Sequence, residues 1–442
     1  MFKIIRNAWA IPELRKKILF TLFIIIVFRI GAAVPVPFLD VEALKRNIEA
    51  LTEQDPGNLV SYLNILSGGA FEYATLFAMS VTPYINSSII MQLLTVAIPA
   101  LEKLSKEGEE GRKKLGQYTR YATVILGLIQ GAAYYFYLRR SSGVLQMYPS
   151  KAANVYVAAL IILTFTAGSA IMMWLGEQIN QYGIGNGISI LLFAGIVSRG
   201  PQSFMRLYQW FKLGLTDRTQ TKYLFFVPLI VIFFIIVVGF IVFMNSAERR
   251  IPVQYAKRVV GRKMYGGQST HIPIKVNMSG VMPIIFASSI IAIPSTLRMF
   301  IYGNTQPDTL GYKILSVFSR QNAVYAIVYF ILIILFAYFY VTIQYNPIEM
   351  ANNLRKNSGA IPGIRPGKPT ADFISKIIGR ITLIGALFLS VIAILPIILA
   401  ATTKINIGMS GTSILILVGV ALETVQQIES QMLMRHYKGF LE

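Results

Sequence analysis

The chain contains no cysteine, and only two histidines occur among its 442 residues, His271 and His436. Without cysteine the protein can form neither a disulfide nor a thiolate metal site. The sequence also lacks the HExxH, GxSxG and Walker A motifs, so nothing in it points to a metalloprotease, a serine hydrolase or an ATPase. We therefore expect no catalytic residue, no bound metal and no cofactor.

Charge is scarce as well: only 14% of the residues are charged, while 55% are hydrophobic and the mean hydropathy is +0.58. Apolar runs of about 20 residues recur along the chain, which is the length that crosses a bilayer as a helix. The chain is therefore expected to be an all-α membrane protein that crosses the bilayer many times. Ten spans are predicted, at 18–34, 75–98, 118–138, 154–175, 186–204, 223–244, 278–300, 322–345, 378–400 and 411–428.

The charge that is present is strongly basic, with 41 Lys and Arg against 20 Asp and Glu. Most of the basic residues lie in the N-terminal tail and in the loops that follow even-numbered spans. Because cytoplasmic loops of membrane proteins carry the excess of Lys and Arg, both termini are predicted to be cytoplasmic.

Two motifs occur twice, about 200 positions apart. V-x-P-x-I followed by S-S-I-I begins at Val81 in span 2 and at Val281 in span 7, and G-x-S-I-L-x-x-x-G begins at Gly187 in span 5 and at Gly411 in span 10. The predicted topology runs the two copies of each motif in opposite directions. We therefore predict two inverted five-helix halves, 1–222 and 223–442, which is an arrangement that places a working site between them. The alternative to an inverted repeat is that helices rich in Gly, Ser and Ile have similar sequences by convergence.

Residues 59–74 are apolar but too short to cross a membrane, and Gly68-Gly69 separates them from span 2. A re-entrant half-helix fits this pattern, since broken backbone at membrane depth is tolerated where protein or water surrounds it. An amphipathic segment on the outer surface is the alternative.

Carboxylates are almost absent from the predicted spans. Glu177 and Glu423 both lie near the ends of spans. Ion-coupled transporters bury such groups along their pathway, so their scarcity counts against that class. Aliphatic side chains are expected at the centre instead, where a ring of them excludes water and ions. Ordinary helix packing is the alternative for each residue taken singly. The candidates for the ring are Val81, Ile85, Ile188, Leu192, Ile285 and Ile416.

Longer motifs bring a resemblance that covers nearly the whole chain. They are FRIG at 28–31, GEQI at 176–179, GIGNGIS at 183–189, QSTHIPIKVNMSG at 268–280, YNP at 345–347, IPGIRPG at 361–367 and GTS at 411–413. Through them the chain resembles the SecY family, the channel subunits of the protein-conducting translocon of bacteria.

The resemblance implies a passive channel in the bacterial plasma membrane that moves unfolded secretory polypeptides across and releases transmembrane segments sideways into lipid. Ten helices would surround an hourglass pore, with the six aliphatic residues at its neck and a short plug beneath. The plug would consist of Asn64, Ile65, Leu66, Ser67, Gly68, Gly69, Ala70, Phe71, Glu72 and Tyr73. A secondary transporter with inverted repeats and a purely structural scaffold are the rival functions.

The resemblance also implies a lateral gate between spans 2 and 7, with spans 3 and 8 alongside. Small and polar residues there would allow close but separable packing. Hydrogen bonding within the bundle is the alternative role for the two amides Asn86 and Gln130. The gate candidates are Asn86, Ser87, Ser88, Gln92, Gln130, Ser288 and Ser289.

The expected partners follow from the same family. SecE and SecG would accompany the channel, signal sequences and nascent chains would pass through it, and the SecA motor or ribosomal RNA phosphates would dock on loops 245–277 and 346–377. Orientation in the bilayer alone is the alternative reason for the basic charge of these loops. The docking candidates are Arg249, Arg250, Lys257, Arg258, Arg355, Lys356 and Arg365.

Overall fold

A computed structural model describes residues 2–54, 63–64, 67–141, 143–146, 148–216, 222–255, 258–260, 263–265, 269–302, 309–318, 322–403 and 411–438. The fold is mostly helical, as predicted. Its first part contains nine helices among the described residues. They are α1 (Phe2–Ala10), α2 (Pro12–Gly31), α3 (Val41–Gln54), α4 (Thr82–Ala97), α5 (Pro99–Lys106), α6 (Glu109–Arg140), α7 (Lys151–Tyr182), α8 (Gly187–Ser198) and α9 (Gly200–Thr216).

The second part adds helices and short strands. The helices are α10 (Lys222–Ser246), α11 (Met282–Tyr302), α12 (Leu310–Val317), α13 (Ala323–Gln344), α14 (Pro347–Lys356), α15 (Lys368–Thr403) and α16 (Gly411–Lys438). The strands are β1 (Glu248–Tyr255), β2 (Arg258–Val260), β3 (Lys263–Tyr265), β4 (Ser269–Lys275) and β5 (Gly359–Ala360).

Nine of the ten predicted spans each fall on one of these helices, and span 5, 186–204, covers α8 and the start of α9. Seven helices, with α8 and α9 taken together and α13 and α14 taken together, are long and apolar enough by themselves to cross a membrane. The pair α4 and α5 also qualifies but bends by 102° at Ile98. The residue before a proline is driven into extended backbone, and Ile98, which precedes Pro99, has φ −110° and ψ 113°. The protein is therefore a multi-pass membrane protein.

Span 2 was predicted to begin at residue 75, and this boundary is wrong. Helix α4 begins at Thr82, and residues 67–81 form turns apart from one bridge residue, Thr75. Two non-glycine residues in this stretch, Ala74 and Ser80, have positive φ of 42° and 51°, which no helix allows. The stretch is held by other segments instead, because Leu76 N–H donates to Val34 O at 2.9 Å and a Cβ on Gly168 would lie 1.9 Å from Leu76 O.

The plug segment was predicted as a half-helix over 59–74. Its described residues are helical only at 63–64, and 67–74 are turns. Gly68 and Gly69 have φ of 65° and 94°, a region that glycine enters without steric cost, so the chain reverses there rather than continuing a helix.

Loop 245–277 contains two strands of a three-stranded sheet that the sequence did not predict. Strand β1 pairs antiparallel with β4 along its length and with β5 at its end, through Gln254 with Ala360 and Tyr255 with Gly359. Ile251 and Val253 point into a small core while their neighbours are exposed, which is the alternation of a half-buried strand. The sheet therefore joins the two basic loops into one unit. We call the side of the molecule that carries it the sheet face.

The repeated motifs lie on four helices that meet in the main hydrophobic core. The first three turns of α4 line the same cavity as the start of α11, and Gly185 before α8 lies against Thr424 near the middle of α16. The two copies of each motif are therefore brought together in one core, and their opposite directions stay a prediction.

Candidate functional site

A cavity of about 460 Å³ opens at the sheet face between six helices. The ends of α7 and α13 and the starts of α8 and α11 meet there, together with α4 and α16. Polar side chains line its upper wall, among them Gln92, Asn180, Asn186 and Glu423. A neighbouring cavity of about 420 Å³ shares Asn180, Asn186, Ser189 and Glu423 with it. The two cavities together form a polar vestibule.

Aliphatic side chains close the deep end of this vestibule. Ile85, Ile188, Leu192 and Ile285 all line the cavity. On α4, Ile85 lies two turns from Gln92, and on α8, Leu192 lies one turn beyond Ser189, whereas Ile188 lies beside Ser189. We call these four residues the aliphatic floor. The structure therefore brings together four of the six residues predicted for the ring.

The other two predicted ring residues, Val81 and Ile416, belong to the same hydrophobic cluster as the floor and are 1% and 2% exposed. Val281 also lines the cavity, although the sequence suggested no role for it. Its Cγ1 would lie 2.8 Å from a Cβ on Gly419. The second glycine of the α16 motif therefore leaves the space that the Val281 side chain occupies. Any larger residue at 419 would push α16 away from α11.

The turn before α8 sets the position of the floor. Gly185 has φ of 86°, and Asn186 caps the helix by accepting from the backbone N–H groups of Ile188 and Ser189 at 3.1 and 3.3 Å. Asn180 accepts from the N–H of Gly187 at 2.8 Å, which ties the end of α7 to the start of α8. Gly187 is required there, because a Cβ would lie 1.9 Å from Gly176 O.

Helix α8 extends from the vestibule to the plug segment. It begins in the vestibule at Asn186, carries Ile188 and Leu192 in the floor, and ends at Ser198. Twelve residues of helix span about 18 Å. At its far end Gly68 packs against Gly195, with a Cβ on Gly68 placed 2.9 Å from Gly195 Cα. The floor therefore lies between the vestibule and the plug segment.

A buried ion pair fixes the plug segment to this end of α8. Arg199 Nη2 donates to Glu72 Oε2 at 2.7 Å, and the two side chains are only 15% and 8% exposed. Asn64 Nδ2 donates to the same oxygen at 2.7 Å, and Asn64 Oδ1 accepts from Glu72 N–H at 3.2 Å. We call Asn64, Glu72 and Arg199 the latch.

Helix α6 holds the other side of the plug segment. The ring of Phe71 lies 4.3 Å from that of Tyr134, centroid to centroid, and the Tyr134 hydroxyl donates to Phe71 O at 2.6 Å. Of the other predicted plug residues, Ser67 and Ala70 are buried and Tyr73 is exposed, whereas Ile65 and Leu66 lie outside the described residues.

The predicted gate residues lie on α4, α6 and α11. Ser87 and Ser288 are buried, and each donates to a carbonyl of its own helix, at 2.8 Å to Pro83 O and 2.9 Å to Ile285 O. Ser88 and Gln92 face the vestibule and bond to one another at 3.3 Å. Asn86, Gln130 and Ser289 are half-buried. Hydroxyls that bond within their own helix let two helices pack closely without a polar link across the seam.

The predicted docking residues gather on the sheet face. Arg249 and Arg250 lie on β1, and Arg355 and Lys356 end α14, all exposed. Arg250 Nε bonds to Glu248 at 2.7 Å. Arg365 is exposed at the tip of a turn that two glycines at positive φ create, Gly363 at 80° and Gly367 at 104°. Arg258 lies on β2, where only the backbone is described, and Lys257 lies outside the described residues.

Some site residues were missed by sequence reasoning. Asn180 and Asn186 lie in a glycine-rich stretch that was interpreted only as a turn, although an Asn before a helix is itself a capping signal. Arg199 carried no sequence signal, since its partner Glu72 is 127 residues away. Within the described ranges, no group of three or more His, Cys, Asp or Glu residues could hold a metal.

Comparison with known proteins gives a consistent family. The SecY family model matches residues 75–425. The protein translocase subunit SecY of Thermotoga maritima is 43% identical over 100% of this chain and 98% of its own length. A structure concerning the plug domain of SecY, which is described as stabilising the closed state of the translocation channel, matches with a TM-score of 0.61 at 19% identity, covering 97% of each chain. Sec61 from a canine ribosome–channel complex matches at 0.55 and 17%, also over 97% of each.

The latch leads to a stability prediction. Removing one partner of a buried ion pair leaves an uncompensated charge, which costs about 3–5 kcal/mol. We expect Glu72→Gln to lower the opening free energy of residues 67–75, measured by hydrogen–deuterium exchange, by up to about 3 kcal/mol, since Arg199 is not fully buried.

The matched control is Glu102→Gln, which removes a carboxylate from an exposed pair with Lys106, 2.6 Å apart. Such pairs contribute little, so no change in exchange is expected. Equal exchange in the Glu72→Gln variant and the parent protein would show that the latch does not hold the segment.

Proposed function

The chain belongs to the SecY family, and we propose on that premise that it is a protein-conducting channel. It moves unfolded secretory polypeptides across the bacterial inner membrane and releases transmembrane segments laterally into lipid. It carries no catalytic site of its own. The chain crosses the membrane ten times, with both termini and the sheet face in the cytoplasm.

The observation that carries this proposal is the stacking of three layers along α8. A polar vestibule leads to an aliphatic floor, and a latched plug segment lies beyond the floor. A translocating polypeptide presents side chains of every kind, so its seal cannot depend on fixed chemistry. Aliphatic side chains can part around any sequence and close again without binding it, and when closed they exclude water and ions.

The rival function of a secondary transporter lacks support. A transporter of this kind would hold its substrate and coupling ion near the midplane with buried polar or charged groups. The described lining of the vestibule includes one charged residue, Glu423, and its floor is aliphatic.

The lateral exit is proposed between α4 and α11. These helices carry the first repeat, contact one another, and contribute both to the vestibule wall and to the floor. The buried Ser87 hydroxyl donates to Pro83 O within α4, and this bond does not have to break when the two helices separate.

The sheet face is the proposed docking surface for the partner that drives transport, either the SecA motor or the ribosome. Its charge exceeds what orientation requires, and the sheet couples the loop that carries Arg250 to the loop that carries Arg365 through Tyr255 and Gly359. SecE and SecG are the proposed membrane partners.

Replacing Ile85, Ile188 and Ile285 together with Asn is expected to raise the resting ion conductance of the channel in planar bilayers. Amide side chains would hydrate the floor and remove its barrier to ions. They would also relax its stringency toward defective signal sequences. The same three positions changed to Leu keep the floor aliphatic and should leave conductance at the parent level. An Asn variant that conducts no more than the Leu variant would contradict the assignment of the floor.

A pair of cysteines, one on α4 and one on α11, placed where Cα atoms lie within about 7 Å, should stop transport when oxidised. Reduction should restore it, because the bond would hold the exit shut. The chain has no cysteine of its own to interfere. A pair joining α6 to α7, which pack along most of their length, is the control and should not affect transport. Full transport with the α4–α11 bond formed would exclude this exit.

Arg365→Glu is expected to lower transport by at least about tenfold in reconstituted vesicles, because a like charge at a docking contact costs several kcal/mol. Thermal stability should not change, since the side chain is exposed. The control is Arg139→Glu, an exposed arginine near the end of α6 on the opposite face. Parent-level transport by the Arg365→Glu protein would exclude a docking role for this tip.

A further inference from the structure

Glu423 is the one charged residue in the described lining of either vestibule cavity, and it lines both. Its side chain is accessible to solvent although it lies inside the concavity. The surroundings make this unusual, because the chain has a net charge of +21 and its sheet face is rich in arginine and lysine. The described lining of the vestibule therefore contains one negative charge on a side of the molecule that is rich in basic residues.

Within the described part of the chain, the Glu423 carboxylate makes no hydrogen bond and no ion pair within 4.0 Å. Lys275 is near enough to interact with it electrostatically, but the Lys275 ammonium donates to Gln426 at 2.5 Å instead. One carboxylate oxygen lies 3.0 Å from where a Cβ on Gly280 would be, so it touches the residue two positions before α11 begins. The amino end of a helix favours a negative charge at this place.

The place of Glu423 beside α4 and α11 indicates which ligand its carboxylate would bind. The cavity that Glu423 lines is also lined by Ile85 and Ser88 of α4 and by Ile285 and Phe286 of α11. A segment seated between α4 and α11 beside these residues would have its neighbouring residues in the vestibule, because an extended chain advances only about 3.4 Å per residue. Secretory signal segments consist of a positively charged stretch followed by an apolar stretch.

We propose that Glu423 binds the positively charged residue that precedes the apolar stretch of a signal segment, while that stretch lies between α4 and α11. The contact selects and orients the segment: the apolar part faces the exit and its cationic end stays at the sheet face. This inference rests on the proposed function and adds a specificity-determining residue to it.

The test uses the complete channel with its partner subunits, reconstituted in vesicles, and two substrates that differ only before the apolar stretch. One carries two lysines there and the other carries two glutamines. We expect Glu423→Gln to lower the initiation rate of the lysine substrate by about two- to fivefold, the range of a partly exposed ion pair. The glutamine substrate should be transported at an unchanged rate.

Charge reversal provides a second readout. Glu423→Lys should lower initiation of the lysine substrate further and should favour a substrate with two glutamates before the apolar stretch. A cysteine introduced as Gln427→Cys, in the wall of the second cavity, should form a disulfide with a cysteine placed beside the substrate lysines. The yield of that disulfide should fall in the Glu423→Gln background.

The matched control is Glu429→Gln, which removes the same charge from the same helix at a residue outside both cavity linings. It should not alter either substrate. Equal losses for Glu423→Gln and Glu429→Gln, or equal losses for both substrates, would overturn the proposal. In those cases transport of the glutamine substrate would still support the channel function, whereas failure of the parent protein to transport any substrate would overturn the channel function itself.

Discussion

The contact among Ile85, Ile188, Leu192 and Ile285 is the constraint on which the rest of the structure depends. In the proposed channel, these side chains exclude water when nothing passes and separate for a polypeptide of any sequence. Dispersion and hydrophobic contact meet both demands, since they have no fixed direction and no preferred chemical partner. A polar ring would hold some segments and would conduct ions when it was closed.

The floor requires backbones that approach closely, and glycines provide this. Gly176 admits the side chain of Ile188, with a Cβ at 176 placed 2.5 Å from Ile188 Cδ1, and Gly419 admits Val281 in the same way. The turn at Gly185 then sets where α8 begins. A shift of α8 along its axis would move Ile188 and Leu192 out of the floor, and it would also separate Gly195 from the plug segment. Floor and plug are therefore positioned by one helix.

The sequence predicted the spans, the repeated motifs that meet in the core and all four residues of the floor, because apolar length and motif spacing are local properties of the chain. The latch could not be predicted, since Arg199 and Glu72 meet only through the fold. The sheet was missed because two prolines, Pro252 and Pro273, interrupt strands whose apolar alternation extends over only three or four residues. The start of α4 was misplaced because residues 75–81 are as apolar as a helix, and only positive φ at Ala74 and Ser80 excludes one.

The two barriers differ in what opening them costs. Separating α4 from α11 exchanges aliphatic contacts for contacts with lipid or with an apolar substrate segment, and the bond from Ser87 to Pro83 O stays within α4. Moving the plug segment breaks a buried ion pair and exposes Arg199 and Glu72 unless water or the passing chain replaces each partner. An apolar segment can therefore compensate for opening the seam but not for releasing the latch. In the proposed channel, sideways entry of a signal segment is accordingly the less costly event, and displacement of the plug needs water or the hydrophilic chain that follows to replace both partners of the latch.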